Sequence, residues 1–158
     1  MANNFERMMQ LVTEFFDTKH DPNQISVTEE DRIRLQAIHP ATMSELANED
    51  GPIVWILIIP TTDAVMNGFI KGELHENQLL NATNPGDTYT AIYLCSASVL
   101  PEFRHKGLAK KVSLEAISEI QKDHPIKSLF YWSFSGEGKA LAEAIGKETG
   151  LALFERAQ

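Results

Sequence analysis

Apolar residues near the start of the chain recur at helical spacing. Phe5, Met8, Met9, Val12, Phe15 and Phe16 share one side of a 3.6-residue period, which predicts an amphipathic helix with Met8, Met9, Phe15 and Phe16 in the core. "TEED" (Thr28 to Asp31) pairs a capping hydroxyl with an acid three residues on, so a second helix is predicted to about Ile38, where Pro40 stops it. "PIVWILIIP" is continuous, β-branched and bounded by prolines: a buried strand. From Thr62 to Ala82 the pattern is helical again, as two short helices broken near Gly72. "NPGD" (Asn84 to Asp87) is a turn, and the strand "TYTAIYLCSASV" runs from it to Val99.

A helix from Lys106 carries Ala109, Val112, Ala116 and Ile120 on one face and ends at His124-Pro125. The strand "IKSLFYWSF", a helix "EGKALAEAIGKE" after Gly136 and a terminal strand "LALF" complete the pattern. Residues 89–154 thus read as strand, helix, strand, helix, strand, with connections suited to a layered α/β sheet. Residues 1–88 read as mostly helical with one convincing strand, and the order is mixed rather than strictly alternating.

Composition narrows this picture. A chain of 158 residues, 43% hydrophobic and 23% charged, predicts one globular domain over 1–158. The longest apolar run, Ile53 to Ile59, is far shorter than the ~20 residues a membrane-spanning helix needs. "MANNFERMM" has neither a basic nor an apolar leader segment, so no signal peptide is predicted. A single cysteine, Cys95, excludes an internal disulfide and fits a reducing, cytoplasmic compartment. A net charge of −8 argues against nucleic acid or membrane as partner. That charge is uneven. Asp and Glu outnumber Lys and Arg by 14 to 5 over residues 1–100, whereas the remainder holds 8 against 9. The acidic half fits a solubilising surface, or attraction of a cationic substrate.

Within the less acidic half, "VLPEFRHKGLA" changes the functional picture. A helix N-terminus presents unpaired N–H groups and the positive end of the helix dipole. Gly107 lets an anion approach the backbone, and Arg104, His105 and Lys106 add donors around it. Taken alone, "RHKG" is ordinarily a solvated helix start, but Lys106 in a first helical turn would oppose the dipole unless an anion offset it. Neither "GxxxxGK[ST]" nor "GxGxxG" occurs, which counts against Walker-type nucleotide and dinucleotide sites.

The stretch resembles the signature of the GNAT (general N-acetyltransferase) superfamily, V-x-P-x-x-R-x-x-G-x-[GA]. Val99, Pro101, Arg104, Gly107 and Ala109 occupy its fixed positions. The resemblance covers roughly Tyr89 to Phe154, and against it residues 62–82 look like a helical insertion. It implies an α/β (α+β) three-layer sandwich with a mixed central sheet and helices on both faces. It implies an acyl-CoA-dependent N-acyltransferase, with acetyl-CoA as donor, no metal, and a small-molecule primary amine as acceptor. A homodimer is an open assembly. Coenzyme A would then lie along Ala97, Ser98 and Val99, its pyrophosphate cradled by Arg104, His105, Lys106, Gly107, Leu108 and Ala109.

Amine acylation needs a base, an oxyanion donor and an acid for the thiolate. Many family members carry an acidic residue where Cys95 or Ser96 stands here, and a tyrosine where Gly146 stands. Seven residues before that, Lys139 occupies a position of a small asparagine-like residue. The candidates that remain for proton transfer are Tyr93, Ser96 and Tyr131, with Tyr131, Trp132 and Ser133 as candidate lining of the acceptor pocket. Cys95 is read as a small buried hydrophobe more readily than as an acyl-accepting nucleophile. "HENQL" lacks the second histidine of a zinc helix, and His20, His39 and His124, beside turn signals, are predicted at the surface. Two other classes stay open: a catalytically degenerate acyl-CoA-binding or sensory module, and a partner-binding protein with an incidental basic turn.

Overall fold

The computed structural model describes residues 3–19, 28–132 and 136–156. In chain order the helices are α1 (Asn4–Lys19), α2 (Glu29–Ile38), α3 (Asp63–Ile70), α4 (Glu76–Ala82), α5 (Leu108–Asp123) and α6 (Gly136–Thr149). The strands are β1 (Met43–Asn48), β2 (Gly51–Thr61), β3 (Ala91–Val99), β4 (Ser128–Trp132) and β5 (Ala152–Arg156). They form one mixed sheet in the order β1-β2-β3-β4-β5. β1, β2 and β3 pair antiparallel, while β3, β4 and β5 pair parallel.

Side-chain alternation separates the two faces of the sheet. Phe69 of α3 packs on Tyr93, Phe130 and Trp132, and Phe5 of α1 meets Trp55 edge-on, so α1 and α3 share one face. Tyr131, between Phe130 and Trp132, points the other way and feels Glu143 of α6. A Cβ added at Gly146 of α6 would stand 3.3 Å from the Leu153 side chain, so helix and strand are in close contact there. The parallel crossovers put α5 on the α6 side as well. Val54, Ile59, Ile92, Leu129, Phe130 and Ile120 form the centre of the core.

The caps follow the residues. The Thr28 hydroxyl accepts from the Asp31 N–H and the Asp31 carboxylate accepts from the Thr28 N–H, each at 3.2 Å, which starts α2 as predicted. α3 and α4 flank Gly72, whose φ of 81° suits a residue without a Cβ.

Several expectations need correction. The N-terminal half holds two strands rather than one. "MSELAN" forms the edge strand β1, whose mixed burial hides the period-2 pattern, and Glu45 accepts the Trp55 indole N–H across the ladder at 2.7 Å. Met9 is 37% exposed and Phe5 54%, because only Met8 on that stripe reaches the core fully; the Phe15 and Phe16 side chains lie outside the described residues. α5 begins at Leu108, not Lys106, so Lys106 precedes the helix and does not sit in its first turn.

The histidines also depart from expectation. His39 is buried: its Nδ1 accepts from the Ala41 N–H at 3.0 Å, which puts the neutral ring's hydrogen on Nε2, donated to Asp123 at 2.7 Å. His124 is half-buried, its ring tilted against Tyr89 at 4.5 Å and accepting the Tyr89 N–H at Nδ1. His20 lies outside the described residues.

Candidate functional site

β3 changes character along its length. Ala91, Ile92 and Tyr93 pair with β2 on one side and with Ser128, Leu129 and Phe130 of β4 on the other. Beyond Tyr93 the β4 ladder stops, although β3 continues to Val99 and β4 to Trp132. The two strands therefore part as a fork. Just past the fork, β3 carries an extra residue: Ile58 pairs with Leu94 and Leu57 with Ser96, so Cys95 is a β-bulge.

The pairings assign the side chains above the fork. Leu94, Ala97 and Val99 pair with Ile58, Ile56 and Val54, and lie on the α5/α6 face; Ser96 and Ser98 lie on the α1/α3 face with Tyr93. Small residues leave space here. Ala97 is exposed although β3 is the central strand.

A cleft of about 660 Å³ occupies the fork and reaches the start of α5. Both faces contribute to its wall, since Ser96 and Ala97, and likewise Tyr131 and Trp132, point to opposite sides. The cleft therefore passes through the sheet. A second hollow, of about 650 Å³, is lined among the described residues by Glu29, Arg32, Ile33 and Gln36 of α2.

At the cleft mouth, a 3-10 turn (Pro101–Phe103) leads into the basic loop. Arg7 grips Glu102 in this turn through two hydrogen bonds of 2.8 and 2.6 Å, and holds its carboxyl down at about 2. Arg104 donates its Nε–H to the Val99 carbonyl at 3.0 Å, tying the loop to the end of β3. His105 has φ 63° and Gly107 φ 74°, two left-handed residues flanking Lys106. For His105, a residue with a Cβ, this left-handed conformation is strained, and it is of the kind that shapes anion-binding nests.

The first backbone bond into α5 is Lys111 N–H to the Gly107 carbonyl at 3.0 Å. Among the described residues, the N–H groups of Gly107 to Lys110 have no acceptor. No atom lies within 4 Å of a Cβ built on Gly107, so the space above these donors is open.

The structure thus brings nearly all the predicted binding residues together. Ala97, Ser98, Val99, Arg104, His105, Gly107, Leu108 and Ala109 line the cleft. Lys106 does not; its ammonium stands 5.8 Å over the Phe103 ring. Ser96 and Tyr131 line the cleft, as do Cys95 and Trp132. Burial first, and then the Glu155 and Glu143 carboxylates, raise the Tyr131 pKa and keep its phenol protonated. Ser133 lies outside the described residues.

Tyr93 stands apart from the cleft lining. Its ring is buried under Phe69, and its hydroxyl donates to Glu76 at 2.5 Å. Burial and the Glu76 carboxylate hold its pKa well above the ordinary phenol value.

Glu76 is the site-adjacent residue that sequence reasoning missed. It is 0% exposed at the start of α4, a position where the helix dipole favours an acid. The histidine before it drew attention to a metal motif instead. Among the described residues no three His, Cys, Asp or Glu side chains come together to hold a metal ion.

Gly146 has a packing reason. A Cβ there would stand 3.3 Å from the Leu153 side chain, a tight contact that favours the smallest residue. Lys139 stands 3.8 Å from Glu155 at the surface.

No protein-family model matches this chain, and no curated protein matches it. Among the described residues, no helix is long and apolar enough to cross a membrane.

Proposed function

We propose that the protein is an acyl-CoA-dependent N-acyltransferase with a GNAT-like three-layer fold, transferring acetyl from acetyl-CoA to a primary amine of a small molecule in the cytoplasm. The observation that carries this reading is the run of N–H groups from Gly107 to Lys110 that have no acceptor among the described residues, opening on the cleft where β3 and β4 part. These residues fit coenzyme A. The N–H run, Arg104 and the bare backbone at Gly107 would hold a pyrophosphate, and the β3 edge from Ala97 to Val99 would pair with an amide-bearing arm.

Bound acetyl-CoA would supply a thioester for attack. The amine nitrogen bonds to the acyl carbon, the C–S bond breaks, the ammonium proton leaves and the thiolate takes a proton. Ser96 and Tyr131, which line the cleft from opposite faces of the sheet, would offer hydroxyls to the reacting atoms. Holding amine and thioester together supplies much of the rate when no tuned base is present.

A second reading, a CoA-binding module without catalysis, is favoured by two observations. No carboxylate projects from Leu94 to Val99, and the helical tyrosine position is the tightly packed Gly146.

Thermal melting with free CoA and acetyl-CoA tests binding. At ~100 times Kd the native state gains about 2.7 kcal/mol, and no shift at millimolar ligand would sink both readings. An amine screen that follows free thiol then separates them. Only about one alkyl ammonium in a thousand is neutral at pH 7.4, so without a tuned base the rate at subsaturating amine climbs nearly tenfold per unit from pH 7 to 9. A plateau below about pH 8 would reveal a base in the site. CoA binding with no thiol release from any amine selects the binding module.

A further inference from the structure

We infer that Arg7 of α1 is a positioning residue: its clasp on Glu102 holds the basic loop in its binding shape before any ligand arrives. This rests on the acyl-CoA reading above. The loop needs holding, because His105 stands at φ 63°, a backbone that persists only where the surroundings impose it. The start of α5 fixes its far end. Its near end is the 3-10 turn from Pro101 to Phe103, where the Phe103 N–H donates to the Leu100 carbonyl at 2.9 Å and the Arg104 N–H to the Pro101 carbonyl at 3.3 Å. Hydrogen-bond geometry in such a turn is poor, so side-chain ties to it count.

Arg7 brings such a tie from a fixed platform. Asn4, one turn earlier on α1, is buried and donates through Nδ2 to Asn48 Oδ1 at 3.2 Å, which anchors the helix to the β1–β2 turn. From there the Arg7 guanidinium meets both oxygens of Glu102, a two-pronged geometry that fixes direction as well as distance. One turn further along, Leu11 lines the cleft itself. α1 therefore meets the candidate site twice, once through the turn and once through the wall. On the other side of the turn the Arg104 Nε–H is tied to Val99, and Phe103, between the two tied residues, lines the cleft. A turn released from Arg7 would offer the loop in its binding shape only part of the time, and apparent affinity falls by that fraction. Plain attraction between charges predicts something else: loss of Arg7 would weaken an anion, and loss of Glu102 would strengthen it.

Titration calorimetry with CoA, and with the phosphorylated ADP portion of CoA alone, separates the two. Exposed ion pairs couple weakly, so Arg7→Ala and Glu102→Ala are each expected to weaken CoA by about two- to fivefold. Arg7→Lys keeps the charge but loses the fork, and should fall between Arg7→Ala and the unmodified protein. The double alanine variant should be no weaker than either single one. Exchanging the pair, Arg7→Glu with Glu102→Arg, should restore most of the affinity. The ADP portion should lose the same factor as CoA, because the loop is what changes. Opposite effects of the two single variants, additive losses in the double, or an unchanged CoA affinity with a lowered melting temperature overturns the clasp while leaving the CoA reading intact. Failure of the unmodified protein to bind CoA overturns both.

Discussion

The two halves of β3 share one strand and one antiparallel partner, yet they are built on opposite principles. Ala91 to Tyr93 is paired on both sides and buried, and its polar hydroxyl is spent on Glu76. Among the described residues Leu94 to Val99 has a ladder with β2 alone, is bulged at Cys95, and carries the small side chains of Ser96, Ala97 and Ser98 at a cleft. The first half is stabilised by being closed, and the second is held open by what the first supplies. A rigid vertex holds the strands above it apart. Cutting one half should therefore affect stability, and cutting the other should affect ligand binding.

The largest separation is expected at Gly107. Gly107→Glu puts a side chain and a negative charge over the unpaired N–H groups, and should abolish stabilisation by CoA, about 2.7 kcal/mol at ~100 times Kd. With φ at 74°, any side chain there also strains the backbone by roughly 1–2 kcal/mol. Gly107→Ala carries that strain without the charge, so it should melt earlier yet still respond to CoA. Equal CoA responses in Gly107→Glu and the unmodified protein would place the anion site elsewhere.

Next in size comes the closed half. Tyr93→Phe removes the hydroxyl that donates to the buried Glu76 carboxylate, and should cost about 1–3 kcal/mol in denaturant unfolding. The melting shift produced by CoA should be the same as in the unmodified protein. A variant that unfolds normally but loses CoA would contradict the division between the halves.

The smallest effect lies far from both. Burial, and then nearby His39, lower the His124 pKa, against a partial pull upward from Asp123. As pH falls below about 6.5 the unfolded chain takes up this proton before the folded one does, so stability declines. It is fully present above that pH and is lost as the folded-state value is approached. His124→Asn should flatten this part of the stability–pH curve and leave CoA binding unchanged. A slope that persists in the variant would assign the dependence to another group.

The parts of this architecture that were legible in the sequence are local. The basic loop could be read because a strand pattern breaks at Pro101 and a helical period resumes after Gly107. The cap of α2 and the break between α3 and α4 were readable for the same reason. What escaped depends on partners far along the chain. β1 is an edge strand whose burial follows no clean alternation, and its place becomes evident only beside β2. The fork depends on where β4, returning after α5, stops pairing. Glu76 lies 17 residues from the tyrosine it accepts from, and no periodicity says which polar residue of α4 turns inward. His39 likewise finds Asp123 across 84 residues.

The bulge at Cys95 makes the length of this strand segment behave like a reading frame. Substitution there edits one position of the wall. A ladder drawn straight through Cys95 with every residue kept would, because side chains alternate, exchange the two walls: Ala97 and Val99 would turn to the α1/α3 side, Ser96 and Ser98 to the α5/α6 side, whereas loss of Cys95 alone leaves both walls in place. Chains related to this one should therefore either keep the bulge or lack its one residue, and vary more freely in the identity of the others.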